Sequence, residues 1–216
     1  MKTAIFFDPC VGKNYGSELS IFKQKLLIVG NSHYCGKCPD CGDRDICGCG
    51  PTLTQKAVSV YLDPKDKSKW KKTYSTFINS FFGKPTSLLE RQAFFDSVAF
   101  YNFLQVSAGE DPYSTSQYDF KEKRHLDAFY EVLDSIMPDV VVCWGDTVWD
   151  ILPNNWNAFG EAERGVGIQI GDTVFKNYLI YPYKDKKITL VGVKHPSQGY
   201  GSDFHHKVLS SFGSLV

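Results

Sequence analysis

At 216 residues, with 43% hydrophobic and 22% charged side chains, the chain has the size and composition of one folded domain with a real core, which excludes the disordered and fibrous classes. Its 24 basic and 24 acidic residues give a formal net charge of zero, so it is no general polyanion binder, and any nucleic-acid contact has to come from a local basic patch. Residues 1–8 hold too short an apolar run for a secretory signal, and no stretch is long and apolar enough to cross a bilayer; a cytoplasmic, monomeric protein without membrane contact is expected.

Lys25-Leu26-Leu27-Ile28-Val29-Gly30 is an apolar run that stops at a glycine, the pattern of a buried parallel strand ending at a functional loop. A polar, cysteine-rich insertion follows at 35–49. The order Thr52-Leu53-Thr54-Gln55, with Ala57, Val58, Tyr61 and Leu62 behind it, predicts a capped amphipathic helix. Residues 65–72 are lysine-rich and read as exposed loop. Helical patterns over 74–82 and 87–95 lead into a second strand at 97–104, and 107–119 carries the Gly, Asp, Pro and Ser of a loop. Apolar residues Leu126, Phe129, Tyr130, Leu133 and Ile136 mark a helix within 120–137 that has to stop near Pro138. A third strand is predicted at 139–145, followed by a short helix through Leu152. Residues 154–176 read as irregular. A fourth strand spans 188–194 and ends in His195-Pro196-Ser197, and a last helix covers about 203–212. Strands alternating with helices predict an α/β fold: a single domain over 1–216, a three-layer α/β/α sandwich around a central four-stranded parallel sheet, with ligands at the carboxyl ends of the strands.

Of seven cysteines, five crowd into the insertion: Cys35, Cys38, Cys41, Cys47 and Cys49. Thiolates this close together, with Gly and Pro permitting tight turns, point to a closed structural zinc site. Five candidates compete for four positions, His33 is a further contender, and an iron–sulfur cluster or a local disulfide are the alternatives.

Three of the predicted strands end in polar residues that this architecture brings together: Gly30-Asn31-Ser32-His33-Tyr34, then Asn102, then His195-Pro196-Ser197. In order and spacing they resemble the uracil-DNA glycosylase superfamily. Its first motif closes the first strand as Gly-Gln-Asp-Pro-Tyr or a Gly-Asn-Pro-Gly-like variant, some branches carry a base-reading Asn on a middle strand, and a late motif reads His-Pro-Ser or Asn-Pro-Ser. Pro138-Asp139-Val140-Val141-Val142-Cys143-Trp144-Gly145 is similar to a further strand of that superfamily, and the likeness runs from about residue 25 to the C-terminus.

The resemblance implies a monofunctional DNA glycosylase that flips a modified base out of DNA and hydrolyses its N-glycosidic bond, leaving an abasic site. Cleavage leaves negative charge on the base, so a donor is needed at its carbonyl O2, and His195 suits that position. Asn102 can offer donor and acceptor to the base edge, with Tyr101 among the aromatic residues able to stack a base. Where the best-known branch has a water-activating Asp this chain has Ser32, a poor base; Asn31 or Ser32 is left to position the water by hydrogen bonding. Tyr34 falls where the family has a Tyr that excludes the methyl of thymine. Lys69 and Trp70, in the one dense basic patch, are candidate DNA contacts. So are Ser197, Gln198 and Tyr200, with Tyr200 as a wedge into the duplex. The altered first motif and the cysteine-rich insertion suggest a hypermodified cytosine of phage DNA, such as glucosylated 5-hydroxymethylcytosine, removed in anti-phage defence. Uracil repair, or a catalytically silent nucleic-acid-binding module, is the alternative.

Overall fold

The computed structural model describes residues 3–34, 50–109, 118–155 and 163–213. Four apolar runs, β2 (Leu26–Gly30), β3 (Ala99–Asn102), β4 (Val140–Trp144) and β9 (Lys186–Val193), lie side by side in the order β3-β2-β4-β9, and every pairing among them is parallel. These are the four strands expected from the sequence. The sheet they belong to is larger and mixed. β1 (Cys10–Val11) adds antiparallel to β3, and β8 (Tyr178–Tyr183) and β5 (Glu163–Arg164) extend the far edge antiparallel, giving seven strands in the order β1-β3-β2-β4-β9-β8-β5. The expected four-stranded parallel sheet is thus corrected to the centre of a seven-stranded mixed one.

Of the added strands only β5 falls within the region read as irregular. β6 (Ile168–Ile170) and β7 (Thr173–Phe175), also within it, form a separate hairpin, and its turn opens on Gly171 at φ +59°, a conformation a two-residue turn requires and glycine adopts without strain.

Side chains alternate across the sheet, and the alternation builds the layers. Leu26, Ile28, Phe100, Val142 and Trp144 face one core. There they meet Tyr61 of α1 (Leu53–Leu62), Phe77 and Phe81 of α2 (Lys71–Phe82), Phe94 of α3 (Leu88–Ser97) and Leu209 of α6 (Ser202–Phe212). Leu27, Val29, Tyr101, Val141 and Leu190 face the other, against Phe129 and Leu133 of α4 (Lys123–Ile136) and Leu152 of α5 (Asp146–Asn155). The arrangement is a sheet covered by helices on both faces.

Helix ends follow local chemistry. At α3, Ser87 Oγ accepts from Glu90 N–H while the Glu90 carboxylate accepts from Ser87 N–H, a reciprocal cap. Chain reversal at Gly83 (φ +65°) ends α2. The predicted cap at α1 does not form: Thr52 makes no side-chain bond, and Gln55 donates instead to the Pro9 carbonyl at 3.1 Å, tying α1 to the N-terminal segment. α2 also begins earlier than the lysine-rich run implied, at Lys71.

Candidate functional site

From β2 the chain crosses to β3 on one side, whereas from β4 it crosses to β9 on the other. The strand order therefore reverses between β2 and β4, and the crevice outside their carboxyl ends is where a parallel sheet opens a ligand site. Two glycines stand at that point. Gly30 ends β2 in register with Asn102, and a Cβ there would lie 2.4 Å from Asn102 Oδ1; the Asn102 side chain lies across Gly30 and needs its bare backbone. Gly145 follows β4 at φ +85°, and a Cβ there would meet the Cβ of His195 at 3.3 Å. Asn102 and His195, carried by the outer strands β3 and β9, thus both lean inward over the two strands that flank the reversal.

Three main-chain carbonyls of the first motif are paired. Gly30 O accepts from Phe103 N–H and Asn31 O from Leu104 N–H, both at 2.9 Å, and His33 O accepts from Ala108 N–H at 2.8 Å. Among the described residues, Asn31 Oδ1 and Ser32 Oγ are buried without a partner, and so is Trp144 Nε1 at the end of β4. A buried polar atom without a partner costs about 1–3 kcal/mol, so these three, at the carboxyl ends of the neighbouring strands β2 and β4, mark a place where water or a ligand group completes the bonding.

Next to them, His33 is 5% exposed and burial lowers its pKa to about 3, so it is a neutral imidazole. Its Nε2 lies 3.0 Å from Thr54 Oγ1 of α1, and the Asn102 Nδ2 lies 3.2 Å from both ring nitrogens. Thr54 and Asn102 thus surround the His33 ring, while the cysteines with which it could share a metal lie outside the described residues.

The neutral form of His195 has one consistent tautomer. Its Nδ1 accepts from Ser197 N–H at 3.3 Å and lies 2.7 Å from Ser197 Oγ, so the ring proton sits on Nε2, which has no partner among the described residues. Burial lowers its pKa below the ordinary histidine value, which keeps this neutral donor form at neutral pH. Trp144 packs edge-on against the imidazole, ring centres 6.2 Å apart.

Trp144 begins a line of rings whose middle member, Tyr74, was not singled out from the sequence. It touches Tyr74 of α2 at 5.4 Å, and Tyr74 touches Trp70 at 5.2 Å. Lys69 and Trp70 are both exposed just ahead of α2, so the basic patch connects through packed rings to His195. The period of α2, with Tyr74, Phe77 and Phe81 on one face, was the available signal.

The other sequence-predicted residues divide. Ser197 and Gln198 are exposed on a tight turn, where Gln198 N–H donates to His195 O at 2.8 Å. Tyr34 is 40% exposed beyond the first motif. Two expectations are corrected. Tyr200 is no free wedge: its hydroxyl accepts from Ser80 Oγ at 3.0 Å and its ring stacks on His205 at 3.8 Å, fastening it between α2 and α6. Tyr101 stacks no base: strand alternation turns it to the α4 side, fully buried, where its hydroxyl accepts from Gln105 Nε2 at 2.9 Å. Cys35, Cys38, Cys41, Cys47 and Cys49 lie outside the described residues. Among the described residues, Cys10 and Cys143 are free thiols, and no helix is long and apolar enough to cross a membrane.

The chain matches no protein-family model and no curated protein sequence.

Proposed function

We propose that this protein is a monofunctional DNA glycosylase that takes a modified pyrimidine out of the duplex and hydrolyses its N-glycosidic bond. One observation supports the reading: the Asn102 carboxamide of β3 lies over Gly30, His195 just beyond β9 lies over Gly145, and Asn31 Oδ1, Ser32 Oγ and Trp144 Nε1 at the ends of β2 and β4 are buried without partners among the described residues. Asn102 supplies a fixed carboxamide for the base edge. His195 Nε2–H donates to the base O2 as the C1′–N bond breaks and its electron pair moves onto the ring, an interaction that strengthens only as that charge develops. Water, held by Asn31 Oδ1 and Ser32 Oγ, adds to C1′ and gives up a proton to solvent, and the released base takes one up. Neither side chain is a strong base, so their contribution is placement of the water near an oxocarbenium-like sugar.

Lys69 and Trp70 contact the strand, and Ser197 and Gln198, at the tip of the turn after His195, lie against the duplex where the base has left. The cysteine-rich segment 35–49 leaves the first motif directly, and the thiolates within it suit zinc, with an iron–sulfur cluster as the competing group. Such a site braces the loop beside the crevice and takes no part in the chemistry.

The substrate class that fits best is a cytosine enlarged at C5, such as glucosylated 5-hydroxymethylcytosine of phage DNA, which makes the protein a defence enzyme of the cytoplasm. The exposure of Tyr34 favours it, since a ring that seals off C5 would be pressed into a wall. The test is incubation with oligonucleotides carrying uracil, 5-hydroxymethylcytosine or its glucosylated form, followed by alkali to break the strand at abasic sites. Strand breaks on the glucosylated DNA support the whole reading, breaks on uracil alone would move the substrate to uracil, and none on any would reject glycosylase activity.

A further inference from the structure

We propose that His33 is a positioning residue that fixes the direction of the Asn102 carboxamide and thereby decides which pyrimidine edge the crevice accepts. The proposal rests on the reading of the crevice as a base-excising site and extends it to how the base is chosen.

A free carboxamide serves either edge of a pyrimidine, because a half-turn about its last bond exchanges donor and acceptor. Asn102 is not free. It is 4% exposed, and its Nδ2 lies against the His33 ring, 3.2 Å from both nitrogens. The ring in turn is held on every side. Thr54 Oγ1, on a fully buried residue, lies 3.0 Å from Nε2, and the edge of the Phe7 ring packs against the imidazole with centres 4.8 Å apart. Main-chain pairing with Ser107 and Ala108 fixes the His33 backbone. In the proposed ring tautomer, Nε2–H donates to Thr54 Oγ1, which leaves Nδ1 as the acceptor for an N–H of Asn102. An amide turned the other way would set its oxygen against that lone pair.

The consequence falls on Oδ1, which lies across Gly30 toward the strand reversal. The atom Asn102 offers the base is therefore an acceptor. A cytosine-type ring meets it with the hydrogen of its 4-amino group, whereas the 4-keto group of a uracil-type ring would set oxygen against oxygen. Sites built to bond one polar group reject the analogue lacking it far better than apolar pockets reject a missing methylene. In the first motif, His33 is thus the residue through which a cytosine-type edge is selected, although it touches no base.

Two pairs of oligonucleotides test this, each differing only in 4-amino against 4-keto: cytosine and uracil, and their glucosylated 5-hydroxymethyl forms. Single-turnover rates for wild type should favour the amino member of whichever pair is cut by at least about 100-fold. In His33→Phe the preference should fall at least tenfold, and His33→Gln, whose Oε1 can accept from the same N–H, should retain most of it. If His33→Phe does not fold, Thr54→Val, which removes the Nε2 partner, carries the same expectation. A second readout needs no activity: the side-chain amide protons of Asn102, assigned by their loss in Asn102→Asp, should exchange slowly with solvent and shift in His33→Phe. A wild-type preference for the keto member would overturn the assigned direction, and an unaltered preference with unshifted amide protons in His33→Phe would overturn the role of His33. If no oligonucleotide is cut, base excision itself fails, and the amide protons alone decide whether His33 holds Asn102.

Discussion

Replacing Gly30 by alanine probes the arrangement at its tightest point. The new Cβ would stand 2.4 Å from Asn102 Oδ1, whereas carbon and oxygen come no nearer than about 3.3 Å, so the amide has to retreat by about 1 Å. The backbone at Gly30 is not in the left-handed region, so alanine itself is tolerated there and stabilises by about 0.4–1 kcal/mol through the unfolded chain. Against this stand overpacking, about 1–3 kcal/mol, and the loss of the Asn102 bond to His33, about 1–3 kcal/mol for a buried amide left unpaired. The net is a loss of about 1–6 kcal/mol, which in a domain of this size lowers Tm by about 2–22 °C. Urea unfolding of Gly30→Ala, Asn102→Ala and the double variant separates the causes, because the cost of the alanine should shrink by at least about 1 kcal/mol once Asn102 is gone. An equal cost in both backgrounds, or a Gly30→Ala protein as stable as wild type, would refute the geometry on which the site is built.

Three further outcomes are expected. His195→Ala should lower the single-turnover cleavage rate by about 100- to 1,000-fold with folding and DNA affinity nearly unchanged; an unaltered rate would make His195 structural. Stability should fall in mild acid. Burial lowers the pKa of His125 to about 4, so between about pH 6.5 and 4 the unfolded chain takes up a proton that the folded one refuses, at up to about 1.4 kcal/mol per pH unit. His125→Asn, which can still accept from Gln105 N–H, should flatten that slope in urea unfolding at pH 7 and pH 4.5, and the other histidines lowered by burial, His33, His195 and His205, maintain the remainder; an undiminished slope would contradict this. Protein prepared under reducing conditions should contain about one zinc per chain. Elemental analysis finding neither zinc nor iron would remove the metal from the account.

The parallel centre of the fold was legible because its strands are unbroken apolar runs, three of them ending at or just before a residue the site uses: Gly30, Asn102 and His195. The edges were not. β8 reads Tyr-Leu-Ile-Tyr-Pro-Tyr, and Pro182 argues against a strand unless its missing N–H falls where no ladder bond is made. The neighbouring β5 reaches only Leu179 and Ile180, which leaves Pro182 free of that demand on its outer side. β1, β5, β6 and β7 are two or three residues long and too short for any period to show. At the site, the polar strand ends could be named, but not their bonding. That His33 holds Asn102 and that Tyr101 turns away from the crevice depend on which side β3 faces after pairing, and a one-residue change of register would reverse both; that Tyr200 is fastened to Ser80 depends on how the loop after β9 packs on α2.

The central claim is that the crevice between β2 and β4 breaks an N-glycosidic bond with water. Mass spectrometry of the reaction products on duplex DNA carrying glucosylated 5-hydroxymethylcytosine measures it directly. The account predicts release of the intact modified base with an abasic sugar left in the strand by wild type, and almost none of either from His195→Ala or Asn102→Ala. An intact glycosidic bond with no free base, across this substrate and uracil-containing DNA alike, would contradict it.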